Sequence, residues 1–460
     1  MTDTHSGLTR RTVLARSATG LGLVLTGSLD GLFGTGTARA AAARAPFAGY
    51  GPLIADPSGL LSLPEGFTYS IVAQSGVTTL ESGEPTPSDP DGTAAFPALS
   101  GGGSVLVSNH EVGGDEPFGV PHVGGFVYDD QARGGTTTIE TDADGGRVRE
   151  YVSLAGTHNN CAGGVTPWNT WLTCEETEAV LGKPHGYVFE VDPYDQERNR
   201  DPQPIKAFGR FAHESIVVQP GGRHVYMTED ASGPNGCLYR WTAPNAALPL
   251  GPGRFRGLSD TAGKLAIAQA FTFAGRHVAD LSIATKPGTK FRVRWVTVPD
   301  RDATETPTRE QFARVTRSRK LEGMWWGDGG AYFTASFARE SDGSVRQHDG
   351  QVWFLDPLAE TIELKLHFAY TPDDQDSDAD GPDNITVSAY GGVILAEDGD
   401  GAQHLVGATE RGDVFFFARN EDAESSEFTG PTFSHDAKVL FANVQVPGYV
   451  YAIRGPFTSF

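Results

Sequence analysis

The stretch of this sequence richest in reactive side chains runs from Gly156 to Glu178. It holds Cys161 within Asn159-Asn160-Cys161-Ala162-Gly163-Gly164, then Trp168, Trp171, Cys174, Glu175 and Glu176. A cysteine set among Asn and Gly lies where backbone can approach closely. A short hairpin packed on Trp168 and Trp171 would return the chain so that Glu175 or Glu176 lies near Cys161. A soft thiolate beside a hard carboxylate is a corner that iron accepts. The competing reading makes Cys161 a small buried apolar residue, or a disulfide partner of Cys174. Taken alone, the segment favours that second reading.

Four further segments place carboxylates at strand ends, three of them beside an imidazole or a cation. They are Asn109-His110-Glu111, Arg210 to Ser215 with His213 and Glu214, Arg319-Lys320-Leu321-Glu322-Gly323, and Ala396-Glu397-Asp398-Gly399-Asp400. Each alone reads as a surface acid. As a set at equivalent strand ends, they could converge on one polynuclear metal site. Asp376, Asp378, Asp380 and Gly381 open like a calcium loop. Val387 stands where the bidentate Glu should be, which excludes an EF-hand. A solvated acidic loop fits that segment equally well.

The elements that must position these groups are short strands. The chain carries 58 Gly and 29 Pro, and helical periodicity is scarce. Runs such as Ser104 to Ser108 and Val393 to Ala396 are bounded by turn residues, the all-β signature. A Gly followed by alternating apolar and aromatic residues recurs at Gly125, Gly186, Gly236, Gly350, Gly412 and Gly448. This recurrence predicts an all-β fold, a β-propeller with long loop insertions and a few short helices, the best of them over Arg309–Arg319. A two-sheet sandwich is the alternative. Glu81–Gly92, Arg276–Gln311 and Thr371–Asn384 read as loops or decorations.

The first 40 residues read as a twin-arginine signal peptide. Arg10-Arg11 precedes a short Gly-rich apolar stretch, and Ala38-Arg39-Ala40 supplies the cleavage site. The expected organisation is a leader over 1–40 and one catalytic domain over 41–460, secreted or held in the cell envelope, with no membrane contact after cleavage. The formal net charge is −22, and losing a leader of net +2 leaves −24. That balance argues against nucleic acid or anionic membrane as partners and favours bound cations. Three cysteines allow one disulfide at most.

At these residues the chain resembles the PhoX-type alkaline phosphatases. The resemblance is carried by the leader, by Asn160-Cys161-Ala162-Gly163-Gly164 and its continuation to Glu176, by His213-Glu214, by Leu321-Glu322-Gly323 and by Pro382-Asp383-Asn384-Ile385. It implies a monomeric propeller of about six blades, exported by the twin-arginine machinery, that hydrolyses phosphate monoesters at a cluster of Fe(III) and Ca2+. It further implies that Cys161 is a thiolate ligand shared by two ferric ions and that Glu176, Glu214 and Glu322 are carboxylate ligands. Glu111, Asp383, Glu397 and Asp398 fall in the metal region. Lys320 stands where the family's phosphatases carry Arg, with Arg319 one residue back, and these two with Asn160 would grip the phosphate. His213 and His110 are candidates for supporting a metal ligand or serving the leaving group. The same residues also fit a non-catalytic calcium-stabilised propeller, or a propeller hydrolase of a phosphodiester or lactone.

Overall fold

A computed structural model describes residues 49–372, 378–422 and 426–459. The strands follow from the sequence pattern: β-branched and aromatic residues alternate along short runs, and Gly, Asp and Asn close the turns. The twenty-eight described strands pair antiparallel throughout. The all-β expectation therefore holds at the level of the elements.

The expected propeller of about six blades with short helices is corrected. The strands form five sheets, of six, three, eleven, four and four strands. Two units that the repeat spacing separates are joined, because Lys290–Thr297 pairs with Thr361–Ala369 through Lys290↔Glu363, Phe291↔Ile362 and Arg292↔Thr361. The result is a nine-strand path that begins at His213–Val218 and ends at Leu321–Gly327. These two end strands lie against each other, so the long sheet nearly closes on itself. The four smaller sheets form a propeller-like ring with it. Among the described residues the helices are 3-10 turns of three or four residues, and Arg309–Arg319 contributes one such turn, Thr308–Glu310, and a two-residue strand, Arg317–Ser318.

Six strands meet around a common axis. They are β1 (Pro90–Pro97), β2 (Asn160–Val165), β3 (His213–Val218), β4 (Leu321–Gly327), β5 (Pro382–Val387) and β6 (Phe428–Phe433). Two of them correct the loop assignments, since β1 starts inside Glu81–Gly92 and β5 inside Thr371–Asn384. Five of the six sequence repeats fall in or at strands further from the axis, such as Gly236–Thr242 and Tyr449–Arg454. Gly125 lies in a turn instead, and Val127 makes only an isolated bridge to Ala155.

The crowding at the axis explains its residue types. A Cβ on Gly92 would stand 2.6 Å from the Ala162 Cα, and one on Gly164 would stand 1.7 Å from the Ile216 carbonyl oxygen. Side chains return away from the axis, where apolar residues of neighbouring sheets interlock. Cys174 and Cys237 belong to one such core with Phe208, Phe211 and Trp241. All three cysteines are buried free thiols, so the Cys161–Cys174 disulfide is not formed. Early and late described strands are tied together across the chain: Leu61–Pro64 pairs with Val414–Asn420, and Thr68–Gln74 pairs with Tyr449–Arg454. Among the described residues no helix is long and apolar enough to cross a membrane. The leader assigned to residues 1–40 lies outside the described residues.

Candidate metal centre

The six axial strands share one irregularity. Each pairs with its neighbour through a break in register near its start, as between Pro90 and Thr93, Asn160 and Gly163, His213 and Ile216, Leu321 and Met324, and Pro382 and Ile385. In β6 the break falls between Thr429 and Thr432. A bulge bends the strand and re-aims side chains within it, and such features recur beside active sites. In the first five strands the second residue lies in the break: Asp91, Cys161, Glu214, Glu322 and Asp383. In the sixth, Glu427 immediately precedes the strand. One end of the axis is thus lined by carboxylates and a thiol.

Their ligand atoms draw together into three linked groups. Cys161, Glu176 and Glu214 lie within 4.8 Å of one another, as do Glu214, Glu322 and Asp383, and as do Asp383, Asp398 and Glu427. Glu214 and Asp383 are each shared by two groups, so the three form a chain of adjoining sites. Glu214, Glu322, Asp383 and Glu427 are buried, and Glu176 and Asp398 are half-buried. Two carboxylates ~5 Å apart repel by roughly 3 kcal/mol even at an effective dielectric of 20. Burial pushes the Glu214 carboxyl well up, and the charges of Asp383, Glu176, Glu322 and Asp91 push it further. The Cys161 thiol is raised in the same way, first by burial and then by Glu214, Glu176, Asp91 and Glu111. Its Sγ faces the His213 and Glu214 carbonyl oxygens at 3.4 and 3.5 Å.

The donor chemistry fits bound cations. Lys320 Nζ lies 2.9 Å from Glu322 Oε1 and 2.8 Å from Asp230 Oδ2, and one ammonium cannot neutralise this set. Hard oxygen ligands suit calcium, and the single thiolate suits a softer transition metal at the Cys161 end.

The sequence model of the alkaline phosphatase PhoX family matches residues 48–149 and 141–448. The chain belongs to the PhoX family. Its fold is similar to that of Pseudomonas fluorescens PhoX in complex with vanadate, a transition-state analogue, with a TM-score of 0.65 at 19% identity over 86% of this chain and 96% of that one. A gluconolactonase of Xanthomonas campestris aligns at a TM-score of 0.43 and 12% identity, over 89% of this chain and 99% of that one. No curated protein matches the chain. Membership and the linked ligand groups identify a metal-dependent PhoX-like hydrolase.

Against the residues expected of a PhoX protein, the structure brings together Cys161, Glu176, Glu214, Glu322, Asp383 and Asp398. It also resolves the choice left by the sequence at positions 175 and 176. Successive residues point to opposite sides of an extended chain. Glu176 faces the thiol, whereas Glu175 is turned away and saturated by four donors: the backbone N–H groups of His158, Gly186 and Tyr187, and His185. Glu111 lies near Cys161 and accepts from Gln445 Nε2 at 2.7 Å.

Other expected residues lie elsewhere. Glu397 is outside the three groups, held by His404 Nδ1 at 2.8 Å and the Asp380 N–H at 3.0 Å. Arg319 faces Asp230 and Asp342 and packs over Phe337. Asn160 is fully buried and accepts from Thr157 while donating to Thr173, so its amide braces the hairpin. His110 is buried between Ser88 and Thr137, and burial lowers its basicity. His213 is stacked on Phe211, and burial lowers it to about 3. Asp376, the first acid of the calcium-like loop, lies outside the described residues.

Two residues at the axis were missed, Asp91 and Glu427. Asp91 carries a readable signal: Pro90-Asp91-Gly92 repeats the acid-then-small-residue pattern of Glu322-Gly323 at a strand start. Glu427 precedes Phe428 without such a mark.

Proposed function

We propose that this chain is an exported phosphatase that hydrolyses phosphate monoesters at ferric iron and calcium held at the carboxylate end of the axis. The observation that carries the reading is the chain of three ligand groups linked through Glu214 and Asp383. Cys161, Glu176 and Glu214 would hold iron, and Glu322, Asp383, Asp398 and Glu427 would hold calcium, with Asp91 and Glu111 alongside. Bound there, such ions supply positive charge for the phosphate oxygens and activate water at neutral pH.

The protein's own residues do the rest. Phosphoryl transfer is catalysed by positioning and by neutralising charge on the equatorial oxygens. In an acidic chain those tasks need a cation held at the site, and Lys320 is one. Its backbone has φ +47°, its side chain is nearly buried, and Asp230 and Glu322 fix its ammonium. A lysine presents a point charge to phosphate rather than the planar two-pronged grip of arginine. Arg319 stands one layer further out and adds long-range charge. Asn160 acts on the hairpin that carries Cys161. The axis beyond the bulges narrows to a cavity of about 20 Å3 among Gly92, Gly163 and Gly323, room for a single water. Substrate therefore enters from the carboxylate side. The leader over 1–40 would carry the protein out through the twin-arginine route already folded, which keeps Cys161 reduced until its metal is bound.

Hydrolysis of nitrophenyl phosphate, with and without chelation, tests the reading. Activity should vanish on chelation and return with iron and calcium together. Cys161→Ala should lose bound iron, and full activity without iron would refute the assignment.

A further inference from the structure

We propose that Glu175, His185 and Asp129 form a positioning clamp that holds the two metal-facing residues Cys161 and Glu176 in register. The proposal rests on the metal reading of those two residues and goes beyond it, because no clamp residue lies in a ligand group.

The geometry is specific. His185 is fully buried, with Nδ1 2.6 Å from Glu175 Oε1 and Nε2 3.2 Å from Asp129 Oδ2. The ring bridges the two acids, one through each nitrogen. Burial alone would lower the basicity of His185, but the hydrogen bonds and charges of Glu175 and Asp129 outweigh it and raise it. Asp129 is itself anchored by the N–H groups of Gln131 and Lys183. The clamp is therefore fixed at its far end.

Its near end touches the segments that matter. Glu175 Oε1 accepts the N–H of His158, three residues before Cys161, at 3.0 Å. Glu175 Oε2 accepts the N–H groups of Gly186 and Tyr187 at 2.9 and 3.0 Å, which closes the base of the loop that Glu176 opens. The Glu176 N–H donates to the Asn159 carbonyl at 2.9 Å, a second tie between the same two segments. One carboxylate thus sets the spacing between the strand start carrying Cys161 and the loop start carrying Glu176. Partners outside a metal's own ligands commonly tune affinity by 10–100-fold.

The test is iron retention by the purified, metal-loaded full chain. His185→Gln keeps a donor for one carboxylate at most, so the EDTA concentration that removes half the iron should fall about 10–100-fold. Asp129→Asn, which keeps an acceptor for His185, should fall by less than about threefold, a smaller effect in line with its outer place. Cys237→Ala serves as the control, because Cys237 packs in the neighbouring core on the strand Gly236–Thr242, and the charges around it are those of Glu229, Arg317 and Arg309 rather than of the clamp. Its metal-free thermal midpoint is compared with that of metal-free His185→Gln. The clamp is overturned if His185→Gln releases iron at the wild-type EDTA concentration. It is equally overturned if Cys237→Ala, at a matched loss of metal-free stability, releases iron as easily. If the wild-type protein binds no iron at all, the metal reading fails first, and that result is distinct from both.

Discussion

The two ends of the same six strands have opposite chemistry. Toward the start of β1 to β6 stand Asp91, Cys161, Glu214, Glu322, Asp383 and, just ahead of β6, Glu427. Toward their ends stand Phe96, Val165, Val218, Trp325, Trp326, Val387 and Phe433, around a cavity of about 380 Å3 with no Asp, Glu, Lys or Arg in its lining. The strands, their convergence and their glycines are common to both ends. What differs is the bulge: it lies at the start of each strand, where it frees a side chain from the regular alternation and turns it toward its neighbours. At the far end the pairing is regular, and ordinary apolar packing results. The axis is thus a single scaffold with one reactive end, separated from the other by a neck wide enough for a water.

The largest effect is expected at Glu214, which two ligand groups share. Glu214→Gln should lower kcat/KM for nitrophenyl phosphate by at least about 1,000-fold, roughly 4 kcal/mol of lost transition-state stabilisation. Trp326→Ala at the opposite end should stay within about threefold of wild type, since it touches neither metal nor substrate. Equal losses at the two ends would erase the distinction.

Within the reactive end the next largest effect is expected at Lys320. Lys320→Ala should reduce kcat/KM by about 10–100-fold, with metal content unchanged, through loss of one charge on the substrate. Lys320→Arg should retain most of the activity. Asn160→Ala should instead show as lost stability, about 1–3 kcal/mol by urea unfolding, because it strands Thr157 and Thr173 in the interior.

The smallest effect is expected at Glu229, which accepts from Tyr239 and Arg309. Burial raises this carboxyl to about 7, against the opposing charge and hydrogen bond of Arg309. A carboxyl raised in the folded state contributes stability that is present below its unfolded value near 4.5 and is lost as pH rises through about 7. Glu229→Gln should flatten the pH dependence of the urea midpoint over that window, and an unchanged slope would contradict the assignment.

The sequence shows some of this plainly and hides the rest for physical reasons. Alternating apolar runs reveal strands because the period of two is local. The merging of two units through Phe291 and Ile362 is not local, and the repeat, which marks strands away from the axis, carries no trace of it. At the site, Glu214, Glu322 and Asp383 are legible as acids at strand starts, supported by the family resemblance. Asp91 was hidden by the Pro- and Ser-rich run before it, which reads as a loop until the pairing Pro90↔His110 is known. Glu397 and Asp398 look alike in sequence, yet His404 turns one away while the other joins the ligands.

The proposed site at the carboxylate end holds both iron and calcium. Elemental analysis of protein recovered after export through its native route tests this most directly, paired with the same measurement on Cys161→Ala. Iron and calcium are expected in the wild-type protein, and calcium with little iron in the variant, together with loss of phosphatase activity. Wild-type protein that hydrolyses phosphate monoesters without iron, and a Cys161→Ala variant of full activity, would contradict it.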